Sequence, residues 1–248
     1  MNWLSRVFGN LGSRKSKYIT PHLLDEDGCD VPKTPDEEQV DRRARTEQRL
    51  RGEGVPINPD LGEVTSERDA NIRAPEEVAD RLLALTLVAM KAEGMDHEIM
   101  LEIVKERKAD TLFTSRERAF ILNPSPSDAD LEHFSRSYEA AWALVWALRL
   151  VREPLTTPRR NCDHERVISI VRDTPDLTVN ALRDTPSVLD KLDLFMRYAS
   201  AVQASLAEGK KPPSEIIAIV ALERYNALSW LTHHEGREDW DEPVRLAS

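Results

Sequence analysis

Apolar residues recur at steps of three and four along most of the chain, and the run Tyr138 to Val151 departs from that pattern by being apolar nearly all round. From Ala140 to Leu148 it carries no charge, no Gly and no Pro, and it includes Trp142 and Trp146. A helix without a polar face belongs inside a protein or inside a membrane. This run is shorter than the roughly 20 residues that cross a bilayer. It therefore predicts the central buried helix of a helical domain.

Other helices are predicted around it. Thr34-Pro35 opens one that runs to about Arg51: Thr caps, Pro suits the first turn, and Asp36, Glu37 and Glu38 suit the positive end. Its apolar stripe, Val40, Ala44 and Leu50, is thin, which predicts a mostly solvated helix. Pro75 to Glu93 is a stronger element, with Val78, Leu82, Leu85 and Ala89 on one face and Gly94 as its stop. Asp96 to Arg107 follows after a tight link, as an antiparallel neighbour. Thr114-Ser115-Arg116-Glu117 has the capping-box pattern. Ser127 caps the helix that becomes the central one, with Leu131, Phe134, Tyr138, Trp142 and Val145 following at steps of three and four. Short helices are predicted over Glu165 to Arg172 and Asp176 to Arg183. Two long ones are predicted over Thr185 to about Gly209 and Ser214 to His233, with Trp240 packing the tail down. The β-branched residues sit singly on helical stripes, so no strand is predicted. The expected fold is all-α: a single multi-helix, orthogonal or bundle-like domain over 34–248, preceded by an N-terminal extension over 1–33.

That extension has its own character. Trp3, Leu4, Val7, Phe8 and Leu11 share a helical face, and Arg6, Arg14, Lys15 and Lys17 follow before any acid. A basic amphipathic segment of this kind suits a protein partner or an anionic membrane surface, which makes Trp3 and Phe8 docking candidates within residues 2–17. The alternative is that it packs on its own domain or frays. An acidic linker with Asp25, Glu26, Asp27 and Asp30 follows it. The whole chain carries a net charge of −10, which disfavours non-specific nucleic-acid binding. Two distant cysteines, Cys29 and Cys162, give no disulfide framework, so a reducing, cytoplasmic setting is expected. The N-terminus lacks a secretory h-region, and no stretch is apolar for long enough to span a membrane.

Candidate chemistry rests on charges set among apolar residues. Glu139 shares a face with Trp142 and Trp146. In such a place a carboxylate either pairs with a cation or takes up a proton. Glu223 stands seven residues before Trp230, as Glu139 stands seven before Trp146. Asp190 and Asp193 share a helical face. With Arg81, Arg183 and Arg224, these acids make a network that either registers the helices or builds a ligand pocket. The ligand-binding candidates are therefore Glu139, Arg183, Asp190, Asp193, Glu223 and Arg224. No Glu-x-x-His pair and no His-Glu-x-x-His occurs, so no metal or other cofactor is expected. Cys162 and His164 are near in sequence, but so short a spacing is a weak basis for a nucleophile and its base. His233-His234-Glu235 reads as cations near a negative helix end.

Several of these stretches, taken in order, resemble one family. They are Arg73-Ala74-Pro75-Glu76-Glu77-Val78-Ala79-x-Arg81; Tyr138-Glu139-x-x-Trp142-x-Leu144-x-Trp146-Ala147-Leu148; Cys162-Asp163; Leu182-Arg183; Leu189-Asp190-x-Leu192-Asp193-Leu194; and Glu223-Arg224-Tyr225-x-Ala227-Leu228-x-Trp230-Leu231. Together they are similar to the domain-of-unknown-function 4272 (DUF4272) family over roughly residues 41–242. Similar members close with Trp-Asp and a Thr-Asp-Thr-like run, whereas here Val244-Arg245-Leu246-Ala247 follows Trp240-Asp241. The resemblance implies an uncharacterised bacterial domain with no assigned reaction. Combined with the acidic, all-helical composition, it leads to an expected non-enzymatic protein-interaction or regulatory role. The alternative is a small-ligand-binding protein or enzyme using the acid and arginine cluster between the central and C-terminal helices.

Overall fold

A computed structural model describes residues 35–242, and Trp3, Phe8 and the rest of the expected N-terminal docking segment lie outside them. The helices are α1 (Pro35–Gly52), α2 (Pro75–Ala92), α3 (His97–Glu106), α4 (Ser115–Leu122) and α5 (Asp128–Ser135), then α6 (Ser137–Ala147), α7 (His164–Asp173), α8 (Thr185–Ala207) and α9 (Ala218–Leu231). The described residues contain no strand, so the domain is all-α.

The order of packing follows from α6. It lies between α2 and α9; α9 packs on α8, and α8 on α1, while α2 also carries α5. Ala140, Ala141, Ala143 and Ala147 of α6 are buried beside Leu144, Val145 and Trp146. Small residues on several sides let neighbouring helices approach closely, because the side chains at the contact set the interaxial distance. No helix among the described residues is long and apolar enough to cross a membrane.

The helix starts follow their caps. Thr114 accepts the Glu117 N–H at 3.2 Å and Glu117 accepts the Thr114 N–H at 2.9 Å, closing the capping box of α4. Asp96, Ser127 and Asp163 cap α3, α5 and α7 by accepting first-turn backbone N–H groups with their side chains.

Three boundaries differ from the sequence expectation, each through backbone in the left-handed region. The central helix ends at Ala147, because Arg149 adopts φ 55° and the Leu150 N–H reaches back to the Val145 carbonyl. Helix ends of this type usually carry Gly, so an Arg there gave no signal. Asp176 to Arg183 is not a helix. Asp176 accepts from both the N–H and the hydroxyl of Thr178, and Ala181 has φ 54°. Such local side-chain bonds compete with helix formation. Ser214 and Glu215 are also left-handed, so α9 starts at Ala218, after a short 3-10 turn.

α1 is mostly solvated, as its composition suggests, but its inward face is not the expected apolar stripe. Val40 is 56% exposed and Ala44 is also exposed, while Arg42 is 2% exposed, with Thr46 and Leu50 on the same inward face. Burying a guanidinium is possible because three carboxylates surround it: Glu38, Glu67 at 2.8 Å and Asp190 at 3.0 Å.

Candidate functional site

The sequence places six charged side chains among apolar residues, and packing decides what each one meets. Glu139 on α6 and Arg224 on α9 are each 3% exposed. One Glu139 oxygen accepts from Arg224 Nε at 3.0 Å and Nη2 at 2.8 Å, and the other accepts the Cys162 backbone N–H at 2.6 Å. Both carboxylate oxygens are thus used, and the pair ties the central helix to the last one. The Cys162 thiol donates to the Tyr138 carbonyl at 3.4 Å. Burial pushes that thiol well above its ordinary pKa, and the Glu139 carboxylate adds to the effect. His164 does not serve the thiol: its ring stacks on Tyr138, and its Nδ1 lies 2.6 Å from Glu93.

The other acids and arginines do not converge there. Asp193 accepts from Arg197 one turn along α8, at 2.9 and 3.1 Å. Asp190 faces Arg42 and Arg45, each at 3.0 Å. Arg183 donates to the Trp146 and Val151 carbonyls at 2.8 Å and lies over the Trp146 ring, a cation at the C-terminal end of α6. Arg81 pairs with Glu117 at 2.5 Å, both buried. His234 is not the expected surface cation. It is buried, and burial lowers its pKa to about 4, so it is neutral near pH 7.

Glu223 is different. It is half-buried on α9, and among the described residues no cationic side chain forms an ion pair with it. It lines a cavity of about 270 Å³. Arg116 and Glu117 of α4, His133 and Phe134 of α5, and Ser137 of α6 line it too. Asn226, one turn along from Glu223, lies on the same helix, and Trp240, Asp241 and Glu242 complete the lining. Burial raises the Glu223 pKa to about 7, against the partial attraction of Arg136 and Arg237. His133 is held below its ordinary pKa by desolvation and by the charges of Arg116 and Arg136. Arg116 is exposed, with its guanidinium 5.7 Å from the Phe134 ring centre, and no carboxylate pairs with it among the described residues.

Trp240 is the shared wall. Its ring meets Trp230 edge-on at 5.5 Å, and the guanidiniums of Arg81 and Arg237 lie 4.9 and 5.6 Å from its centre. The strap that carries it is fixed by buried arginines: Arg73 donates to the Arg237 and Glu238 carbonyls, and Arg237 to those of Asn226 and Trp240. A wider, more open hollow of about 620 Å³ also borders Trp240 and includes Arg73, Glu77, Asp80 and Arg81. There both guanidiniums are already engaged, Arg73 by carbonyls and the Trp230 ring, Arg81 by Glu117.

Arg116, His133, Ser137 and Asn226 were not visible as site residues in the sequence. They come from separate helices and sit on no shared stripe. The one local signal was Glu223-x-x-Asn226, two polar groups three apart and so on one helical face. Among the described residues no group of three metal-type side chains occurs.

The family model described as Domain of unknown function (DUF4272) matches residues 42–243. Neither a curated protein nor a solved structure matches the chain.

Proposed function

The chain belongs to the DUF4272 family, and on that footing we propose that its domain is a non-catalytic binding module that holds a small polar ligand in the Glu223 cavity. One observation carries this reading. Of the six charged groups singled out by the sequence, five are spent on ion pairs or helix-end carbonyls, and Glu223 alone faces an open hollow without a counter-ion among the described residues. A half-buried carboxylate without a cation costs stability, and the cost is offset if the group serves a ligand. Pockets of about 300–1,000 Å³ hold drug-sized molecules, so a hollow of about 270 Å³ suits a smaller one.

Binding fits the geometry better than catalysis. Covalent chemistry needs a nucleophile within hydrogen-bond reach of its base. Ser137 and His133 both line the cavity, but no hydrogen bond joins them among the described residues. Among the described residues, the large exposed apolar side chains, Val40, Leu122, Val179 and Leu206, lie on four different segments and argue for no single docking face there.

A panel of small polar fragments, screened by two-dimensional NMR against the full chain, tests the proposal. Binders should shift the Trp240 indole resonance, and their affinity should fall in Glu223→Gln. If fragments bind elsewhere, or bind Glu223→Gln unchanged, the cavity is not the site.

A further inference from the structure

Above neutral pH, where Glu223 is ionised, the cavity holds two opposite charges that no ion pair among the described residues neutralises. Arg116 on α4 and Glu223 on α9 line the same hollow, yet they form no ion pair with each other or with any other described residue. The remaining charges at this place are accounted for. Glu117 is held by Arg81, Arg136 is paired with Glu132, and Arg237 points its donors at carbonyls. Asp241 and Glu242 also line the cavity and are exposed, as Arg116 is, so salt weakens all three charges alike.

Three simple occupants fail on charge. A carboxylate or phosphate would satisfy Arg116 and oppose Glu223. An amine or a metal ion would satisfy Glu223 and oppose Arg116. A neutral solute would leave both uncompensated. A molecule carrying both charges a few atoms apart satisfies both at once, and a volume of about 270 Å³ limits it to a small one. Asn226 and Ser137 add neutral hydrogen-bonding groups beside the two charges.

Building on the binding reading above, we propose that the cavity takes a small zwitterion, a free α-amino acid, with its carboxylate at Arg116 and its ammonium at Glu223. Arg116 and Glu223 are then the specificity-determining residues, because a guanidinium recognises a carboxylate by paired hydrogen bonds and a carboxylate recognises an ammonium as a point charge. The two must act together, so removing either charge from the ligand removes recognition.

The test uses the full chain and the free L-amino acids as probes, with binding measured by saturation-transfer NMR and calorimetry. The best-binding amino acid is then compared with its N-acetyl derivative, which lacks the cation, and its amide, which lacks the anion. Each should bind roughly tenfold or more weakly than the parent. Arg116→Gln should lose the parent's preference over the amide, and Glu223→Gln its preference over the N-acetyl form. Arg116 is exposed and Gln is close in shape to Glu, so both variants should fold, which circular dichroism checks. If the derivatives bind as well as the parent while still shifting Trp240, the zwitterion is refuted and the cavity reading stands. The zwitterion is equally refuted if no amino acid binds below about 10 mM while other fragments occupy the cavity. If nothing binds there at all, both readings fall together.

Discussion

Replacing Glu223 by Gln should make the protein more stable, by an amount that grows as pH rises above about 4.5 and is nearly complete by about pH 7. The carboxyl titrates near 4.5 in the unfolded chain and near 7 in the fold. Between those values the folded state keeps a proton that the unfolded state has released, so stability falls as pH rises through the window. The full loss, reached above pH 7, is about 3 kcal/mol, from the separation of the two values at 1.36 kcal/mol per unit. Glu223→Gln removes that loss, because the amide has no ionised form. His234 titrates in the opposite sense: its pKa drops from 6.5 to about 4, so its contribution is present above 6.5 and is lost as pH falls towards 4. That slope is common to both proteins and cancels in the difference between them. Urea unfolding followed by Trp fluorescence should show near-equal stability at about pH 4.5, and a gain approaching 3 kcal/mol for the variant at about pH 8. A variant less stable than the parent at the higher pH would refute the reasoning, since it would mean that Arg136 or Arg237 holds Glu223 in a stabilising pair.

The same substitution at the neighbouring helix should act in the opposite direction. Glu139→Gln strands the buried Arg224 charge and should cost about 3–5 kcal/mol; combined with Arg224→Gln, the total loss should be less than the sum of the single losses in a double-mutant cycle. Cys162, studied with Cys29→Ser to leave one thiol, should alkylate far more slowly than free cysteine near pH 8 until denaturant is added, because the thiolate is the reactive form and burial disfavours it; mass spectrometry reads the rate. Trp240→Ala should lower the melting temperature, by the equivalent of about 1–3 kcal/mol, since it takes the ring from two guanidiniums and from Trp230. An unchanged melting temperature would show that the strap is held by Arg73 and Arg237 alone.

Local pattern was enough for the class of structure and for where most helices start. Periodicity of three and four, Ser, Thr and Asp caps, and an uncharged run with two tryptophans sufficed for an all-α domain around one central helix, because these are properties of a few turns. The same pattern marked which charges lie among apolar neighbours, but not their partners. Glu139 and Glu223 stand in the same relation to a following Trp, yet one receives two donors from Arg224 and the other faces a hollow. Arg42 carries no local signal of burial, because an inward helical face is marked by apolar residues, and its burial depends on Asp190, 148 positions away. Periodicity tells which way a side chain points along its own helix. What it meets there is set by the neighbouring helix's position and rotation to within an ångström, and hydrogen bonds and ion pairs are won or lost over that distance.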